Sequence, residues 1–174
     1  MRSLVEDMLT LFRAQKSAGT LPDTTADVSE MAVTAALRFE PVAFEAGHLL
    51  EYDIAPGLSA RGDGAKLGQA LAVLLDNAVK YAAPGTPIQL DAARQGSRAV
   101  LAVTNRGEDI PADKLPHIFD RFYRADEART DGSSFGLGLA IAKAIVETHR
   151  GAIRCDSGGS TTRFTITLPC RQGK

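Results

Sequence analysis

With 174 residues, 44% of them hydrophobic and 24% charged, the chain suits one domain, and a domain of that size buries roughly 70% of its unfolded surface. A formal net charge of −1 supplies no field to gather nucleic acid or an anionic membrane, no apolar run approaches the ~20 residues that cross a bilayer, and no signal-peptide pattern opens the sequence. The two cysteines, Cys155 and Cys170, form no CxxC or Cys/His ligand pattern, which predicts reduced thiols in a cytosolic setting.

The opening stretch MRSLVEDMLTLFRAQ has apolar residues at 4, 5, 8, 9, 11 and 12, predicting an amphipathic helix with a wide apolar stripe. It stops before SAGTLPD, a glycine- and proline-bearing loop. The helix reads either as the end of a longer preceding segment or as an ordinary first helix packed on the core. Ser29, with Glu30 in the first turn, predicts an N-cap and a helix to about Phe39. LLEYDIA and LSARG are short strand candidates separated by Pro-Gly. Asp63 then caps a long helix through KLGQALAVLLDNAVKYA, ended by Pro84, Gly85 and Pro87. PIQLDAAR and RAVLAVTN flank QGS as a hairpin. A polar stretch from Arg106 leads through LPHIFDRFYR to RADEARTDGSS, which predicts a mobile loop. FGLGLAIAKAIVETHRG opens a last helix, and GAIRCDS and RFTITLP make a last strand pair in which Cys155 does not oppose Cys170. Helices and hairpins in this order predict an α/β (α+β) two-layer sandwich with a mixed, largely antiparallel sheet, rather than a doubly wound parallel one.

Four stretches carry chemistry. On the long helix, Leu67, Leu71, Leu74, Leu75 and Ala78 form the apolar face. Asn77, Lys80 and Tyr81 fall at i, i+3 and i+4 beside it, either as a grip for metal, phosphate and base or as a solvated edge. VTNRGEDIP follows a strand directly: Asn105 at the strand end can reach a ligand, Gly107 lets a flat group approach backbone and Ile110 can cover it, though a plain turn explains the same residues. IFDRFYR mixes aromatics, read mainly as core anchors, with arginines whose forks match phosphate oxygens. Gly136 and Gly138 open a helix, where free N–H groups and the dipole favour an anion; a tight turn into a packed helix fits them too.

Taken in order, DNAVKYA, NRGEDIP, IFDRFYRAD, FGLGLAIAKAIVETHRG and TTRFTITLP resemble the ATP-binding catalytic domain of sensor histidine kinases, within the group shared with gyrase, Hsp90 and MutL. The resemblance spans roughly residues 25 to 170, and NRGEDIP to RFYRAD looks most like the heavy-metal-sensing and envelope-sensing members. It implies that Asn77 ligates the Mg²⁺ on the ATP phosphates, Mg²⁺ being content with few protein oxygens. It implies that Lys80 and Tyr81 line the nucleotide, that Asn105 accepts from the adenine amino group, and that Gly107, Ile110 and Thr162 lie by the base. By the same resemblance Arg124 approaches the phosphates, Gly136, Leu137, Gly138 and Leu139 place N–H groups there, and 125–135 is the ATP lid between the sheet hairpin and the glycine-rich helix start. Lys80 and Arg124 are the electrostatic candidates for catalysis; no acid–base residue is named.

The sequence departs from the family pattern in places. Asn105 stands where aspartate is usual; its oxygen can accept from adenine more weakly than a carboxylate, and its NH₂ can meet guanine O6, so relaxed ATP/GTP discrimination is expected. Val73, four residues before Asn77, stands where relatives carry asparagine or a water-activating glutamate, which argues against efficient hydrolysis and for weaker Mg²⁺ binding. Of His48, His117 and His149, none sits in the phosphoacceptor setting; His117 reads as structural and His149 as a cation suited to a helix C-terminus.

The resemblance therefore implies transfer of the ATP γ-phosphoryl to a histidine of a separate helical domain, then relay to a response regulator. The expected organisation is the end of a dimerisation helix at 1–16, a linker at 17–25, the catalytic domain at 26–170 and a tail at 171–174. The chain reads as the catalytic portion of a larger, membrane-anchored kinase, cytoplasmic and monomeric in isolation, without nucleic acid or direct membrane contact. Rival readings are a nucleotide-binding switch without transfer and an anti-sigma-type serine kinase. The serine/threonine/tyrosine kinase motifs and the Walker A pattern are absent.

Overall fold

Alternating apolar residues build the central sheet of the computed structural model, which describes residues 4–16, 21, 23–124 and 136–171. The expected lid at 125–135 and most of the linker and tail lie outside these residues. In β4 (Ile88–Gln95) Ile88, Leu90 and Ala92 are buried. In β5 (Arg98–Arg106) Ala99, Leu101, Val103 and Asn105 point the same way, and β7 (Thr161–Pro169) adds Thr162, Phe164, Ile166 and Leu168. β2 (Leu50–Ile54) and β6 (Ala152–Gly158) are the edges of the order β2-β4-β5-β7-β6. Only β2–β4 is parallel, a pairing that needs a crossover, and α3 (Gly64–Tyr81) lies on that crossover. β1 (Thr25–Asp27) and β3 (Ser59–Arg61) pair apart from the main sheet. The fold is the mixed, mostly antiparallel α/β sandwich that the sequence predicts.

Tight turns account for two hairpins. Gly96 (φ +60°) takes the first central position between Gln95 and Arg98, and Gly159 and Ser160 both adopt positive φ between β6 and β7, which matches the right-handed twist of the flanking strands.

On α3 the Asp63 carboxylate accepts from the Ala65 and Lys66 N–H groups, and the predicted apolar face is buried. α4 (Gly138–Thr148) buries Ala140, Ile141, Ala142, Ile145 and Val146 beside it. α2 (Val28–Glu45) differs from expectation at both ends. Its cap is Asp27, whose carboxylate accepts the Glu30 N–H at 2.8 Å, because the Ser29 hydroxyl is engaged elsewhere, donating to the Ala55 carbonyl and accepting the Leu58 N–H. The helix also runs past Pro41, whose missing N–H would have met the carbonyl of the exposed Leu37, where water can serve.

α1 (Leu4–Lys16) buries only Leu11 and Ala14, against α4, and the Thr148 hydroxyl donates to the Ala14 carbonyl at 3.1 Å. Val5, Met8, Leu9 and Phe12 of its predicted stripe remain exposed, Phe12 by 69%.

His149 is not the helix-end cation that its position suggested. It is 3% exposed, its Nδ1–H donates to the Ile145 carbonyl at 2.7 Å, and its Nε2 accepts the Asp63 N–H at 3.0 Å. A ring nitrogen that accepts a backbone N–H carries no proton, so the structure uses the neutral tautomer. Gly62 (φ +135°) lies flat against this ring, and a Cβ there would overlap it.

Candidate functional site

The C-terminal half of α3 brings Asn77, Lys80 and Tyr81 to one rim of the helical layer, as their spacing requires. Asn77 is half-buried; Lys80 and Tyr81 are exposed. Lys80 Nζ pairs with Asp76 at 2.8 Å, both half-exposed, so its ammonium rests on a neighbouring carboxylate. Beyond the helix, Ala83 N–H donates to the Arg106 carbonyl at 2.7 Å and draws the end of β5 against the end of α3. Gly107 occupies that junction, where a Cβ would collide with the Tyr81 carbonyl. The glycine thus has a packing reason as well as any ligand one.

Across the strand ends runs a row that faces the helices. Ile88 pairs with Asn105, Asn105 with Thr162, and Thr162 with Ser157. Asn105 is 4% exposed; its Nδ2 donates to the Arg106 carbonyl at 3.4 Å, which leaves Oδ1 as the atom to accept. Thr162 is buried, and its Oγ1 lies 2.9 Å from Ser157 Oγ, which in turn accepts the Ile110 N–H at 2.8 Å. Ile110 packs partly buried against the core from the loop after β5. Ser157 is absent from the sequence-derived site. The only signal for it was the hairpin register that sets it opposite Thr162.

The other wall is the start of α4. Phe122 N–H donates to the Gly136 carbonyl at 3.0 Å, so residues flanking 125–135 are tied together. Gly136 (φ +71°) needs its freedom: a Cβ would lie 2.8 Å from the Tyr123 carbonyl. Leu137 is buried, Leu139 half-buried, and Gly138 begins the helix with Val73 Cγ1 at 3.4 Å from where its Cβ would stand. Among the described residues no side chain caps α4, and no acidic residue stands in its first turn. Its first N–H groups are therefore uncapped donors at the positive end of the dipole. Arg124 is exposed at the end of the preceding described segment.

Of the aromatics, Phe119 anchors edge-on against Phe164 at 6.2 Å, and Tyr123 leans on His117 at 5.8 Å, while Phe122 is exposed. His117 bonds Asp120 at 3.0 Å on the surface, and buried His48 holds the Thr86 carbonyl at 3.0 Å. Neither touches the rim. A cleft of about 720 Å³ lies elsewhere, between Leu11 and Ala14 of α1, Lys143 and Glu147 of α4, and Phe119–Arg121.

An uncapped helix start, a buried amide–hydroxyl row and a polar helix rim make a cradle with an anion end and a hydrogen-bonding end. Residues 62–172 match the model of the histidine kinase-, DNA gyrase B- and HSP90-like ATPases, and the chain belongs to that family. Within it, the chain is the catalytic ATPase domain of a two-component sensor histidine kinase. It is 31% identical over 169 residues to the sensor protein DltS of Streptococcus agalactiae serotype V, covering 97% of this chain and 43% of that protein. It is 35% identical over 179 residues to the sensor histidine kinase CusS of Escherichia coli O157:H7, covering 98% and 36% respectively. The chain thus spans less than half the length of these relatives. Among solved structures, the mycobacterial sensor histidine kinase MprB superposes with a TM-score of 0.77 at 30% identity over 86% of this chain and 100% of that one. Full-length ShkA, in complex with AMPPNP, gives a TM-score of 0.83 at 25% identity over 98% of this chain and 36% of that one.

Proposed function

We propose that the domain binds ATP with Mg²⁺ and presents its γ-phosphoryl to a histidine of a separate helical domain, from which a response regulator receives it. The observation that carries this is the cradle: α4 offers uncapped N–H groups on one side, and the Asn105–Thr162 row offers buried base-reading groups on the other.

In this reading Asn105 Oδ1 accepts from the adenine amino group, with Gly107, Ile110 and Thr162 around the base and Tyr81 beside the nucleotide. The bond from Asn105 Nδ2 to the Arg106 carbonyl uses one amide hydrogen; the other can still meet guanine O6, so relaxed ATP/GTP discrimination stays the expectation. The N–H groups of Gly136 to Leu139 hold phosphate oxygens, as helix N-termini do. Arg124 adds positive charge, and Lys80 does so by exchanging Asp76 for phosphate. Among the described residues no three His, Cys, Asp or Glu side chains converge, which fits a metal held mainly by phosphate oxygens and one amide, that of Asn77. Magnesium supplies charge neutralisation on the phosphates when bound. The chain's own contribution is positioning and electrostatic preorganisation, with the general base on the acceptor domain. Val73, an alkyl group facing Gly138, can activate no water, which argues against efficient hydrolysis.

α1 is read as the end of the dimerisation helix, its exposed Val5, Met8, Leu9 and Phe12 meeting the rest of that helical domain. Among the described residues no helix is long and apolar enough to cross a membrane; the domain is assigned to the cytoplasmic part of an anchored kinase.

Titration with ATP and ADP, with and without Mg²⁺, tests the site: Mg²⁺-dependent binding that Asn77→Ala abolishes is the expected result. Labelling of a separately supplied acceptor domain by γ-labelled ATP tests transfer. Binding without labelling leaves a nucleotide-dependent switch.

A further inference from the structure

The row across the strand ends contains one hydroxyl to which the nucleotide reading gives no task. Ser157 sits on the edge strand β6, and its Oγ joins two groups that would face the base: the Ile110 N–H at 2.8 Å and Thr162 Oγ1 at 2.9 Å. A serine hydroxyl has one hydrogen and two lone pairs. One lone pair takes the Ile110 N–H, and that bond cannot reverse because a backbone amide only donates. A hydroxyl that accepts becomes a stronger donor, since bonds in a chain polarise one another. Either hydroxyl can donate across the 2.9 Å pair; with Ser157 donating, as this polarisation favours, the Thr162 hydrogen is left for the ligand side.

Asn105, on the neighbouring strand and in register with Thr162, has its Nδ2 engaged with the Arg106 carbonyl at 3.4 Å. That bond uses one of the two amide hydrogens, and Oδ1 accepts. With the Ser157 hydrogen on Thr162 and Asn105 Oδ1 turned to the ligand, the buried pair presents acceptor and donor side by side. Adenine offers the complementary edge, an amino donor beside the N1 acceptor. Guanine offers the reverse, the O6 acceptor beside the N1–H donor.

We propose that Ser157 is a positioning residue for base selection: through Ile110 and Thr162 it holds the Asn105–Thr162 pair in the acceptor–donor order that matches adenine and opposes guanine. This rests on the nucleotide reading above. Ser157 touches no base itself; it acts by setting the direction of a neighbouring hydroxyl.

The test is calorimetric titration of the 174-residue chain with ATP and with GTP, each with Mg²⁺, for the unmodified protein, Ser157→Ala, Ser157→Thr and Thr162→Val. The unmodified protein is expected to prefer ATP. Ser157→Ala is expected to lower ATP affinity about tenfold, the size of one lost hydrogen bond, and to leave GTP binding unchanged, so the ratio narrows about tenfold. Ser157→Thr keeps the hydroxyl and restores the ratio. Thr162→Val removes the reading hydroxyl directly and narrows the ratio in the same way; it decides the matter if Ser157→Ala does not fold. Equal losses for both nucleotides in the folded alanine variant would mean that Ser157 merely supports the loop, and the proposal falls while the ATP site stands. No ATP binding by the unmodified protein overturns the nucleotide reading, and this inference with it.

Discussion

α4 meets α3 at both of its own ends, each time through a glycine, and the two ends differ in what they leave unsatisfied. At the far end Gly62, at φ +135°, makes room for the His149 ring, and both ring nitrogens are used, one on the Asp63 N–H and one on the Ile145 carbonyl. At the site end Gly138 faces Val73 at an ordinary 3.4 Å, and among the described residues no side chain caps the helix. Packing forces the first glycine; packing alone would admit alanine at the second. One residue type therefore records opposite demands: a closed joint that the fold needs, and an open one that the proposed nucleotide would complete.

The largest effect should come from closing the space at the far joint. Gly62→Ala combines a strained φ with overlap on a buried ring and is expected to cost at least about 3 kcal/mol, lowering Tm by roughly 10 °C for a chain of this size. Next, His149→Phe keeps a ring but deprives the Asp63 N–H of its acceptor, and should cost about 2 kcal/mol in urea unfolding. Both losses should appear without nucleotide.

Gly138→Ala separates the two kinds of glycine. Fold stability should be unchanged or rise by up to ~1 kcal/mol, since alanine is the better helix former, while ATP affinity falls as the new Cβ intrudes on the phosphate end. A Tm loss like that of Gly62→Ala would show the site end to be a packing joint after all.

The closed packing extends under α4 to Cys155 on β6. Burial, with a smaller contribution from Asp156, pushes its thiol from the ordinary 9.0 up to about 12. Slow alkylation at pH 8 in the folded protein is expected, and fast alkylation after unfolding. Because the folded state keeps the proton longer, the unfolded thiol ionises first, so this contribution to stability is full below about pH 9 and declines between there and pH 12. Denaturation followed across that range checks the sign. Smallest of all, Lys80→Met breaks an exposed pair with Asp76 and should shift stability by under about 0.5 kcal/mol. Its effect should appear in ATP binding, and shrink as salt rises.

The sequence made one layer of this comparison readable and hid the other. α3 was legible because its cap and its apolar spacing are local: Asp63 serves N–H groups two and three residues on. The β4–β5 hairpin was legible through QGS. The start of α2 was not, because Ser29 spends its hydroxyl on Ala55 and Leu58, 26 and 29 residues away. His149 looked like a helix-end cation for the same reason, its partner Asp63 being 86 positions distant. In the site, the motif residues stood out through family resemblance, whereas Ser157 answers to Ile110 across 47 residues.

Ser157 also has a consequence for motion. Its strand, β6, is an outermost strand of the sheet and pairs only with β7, and such edges are among the first segments to open in local fluctuations. A base bound against Thr162 would then have to be released, or its bonds broken, each time β6 lifts away. Bound nucleotide should therefore slow amide hydrogen exchange in residues 152–158, far more than in β2 at the opposite edge. One edge of the sheet, and not the other, would become the place where occupancy is most plainly recorded.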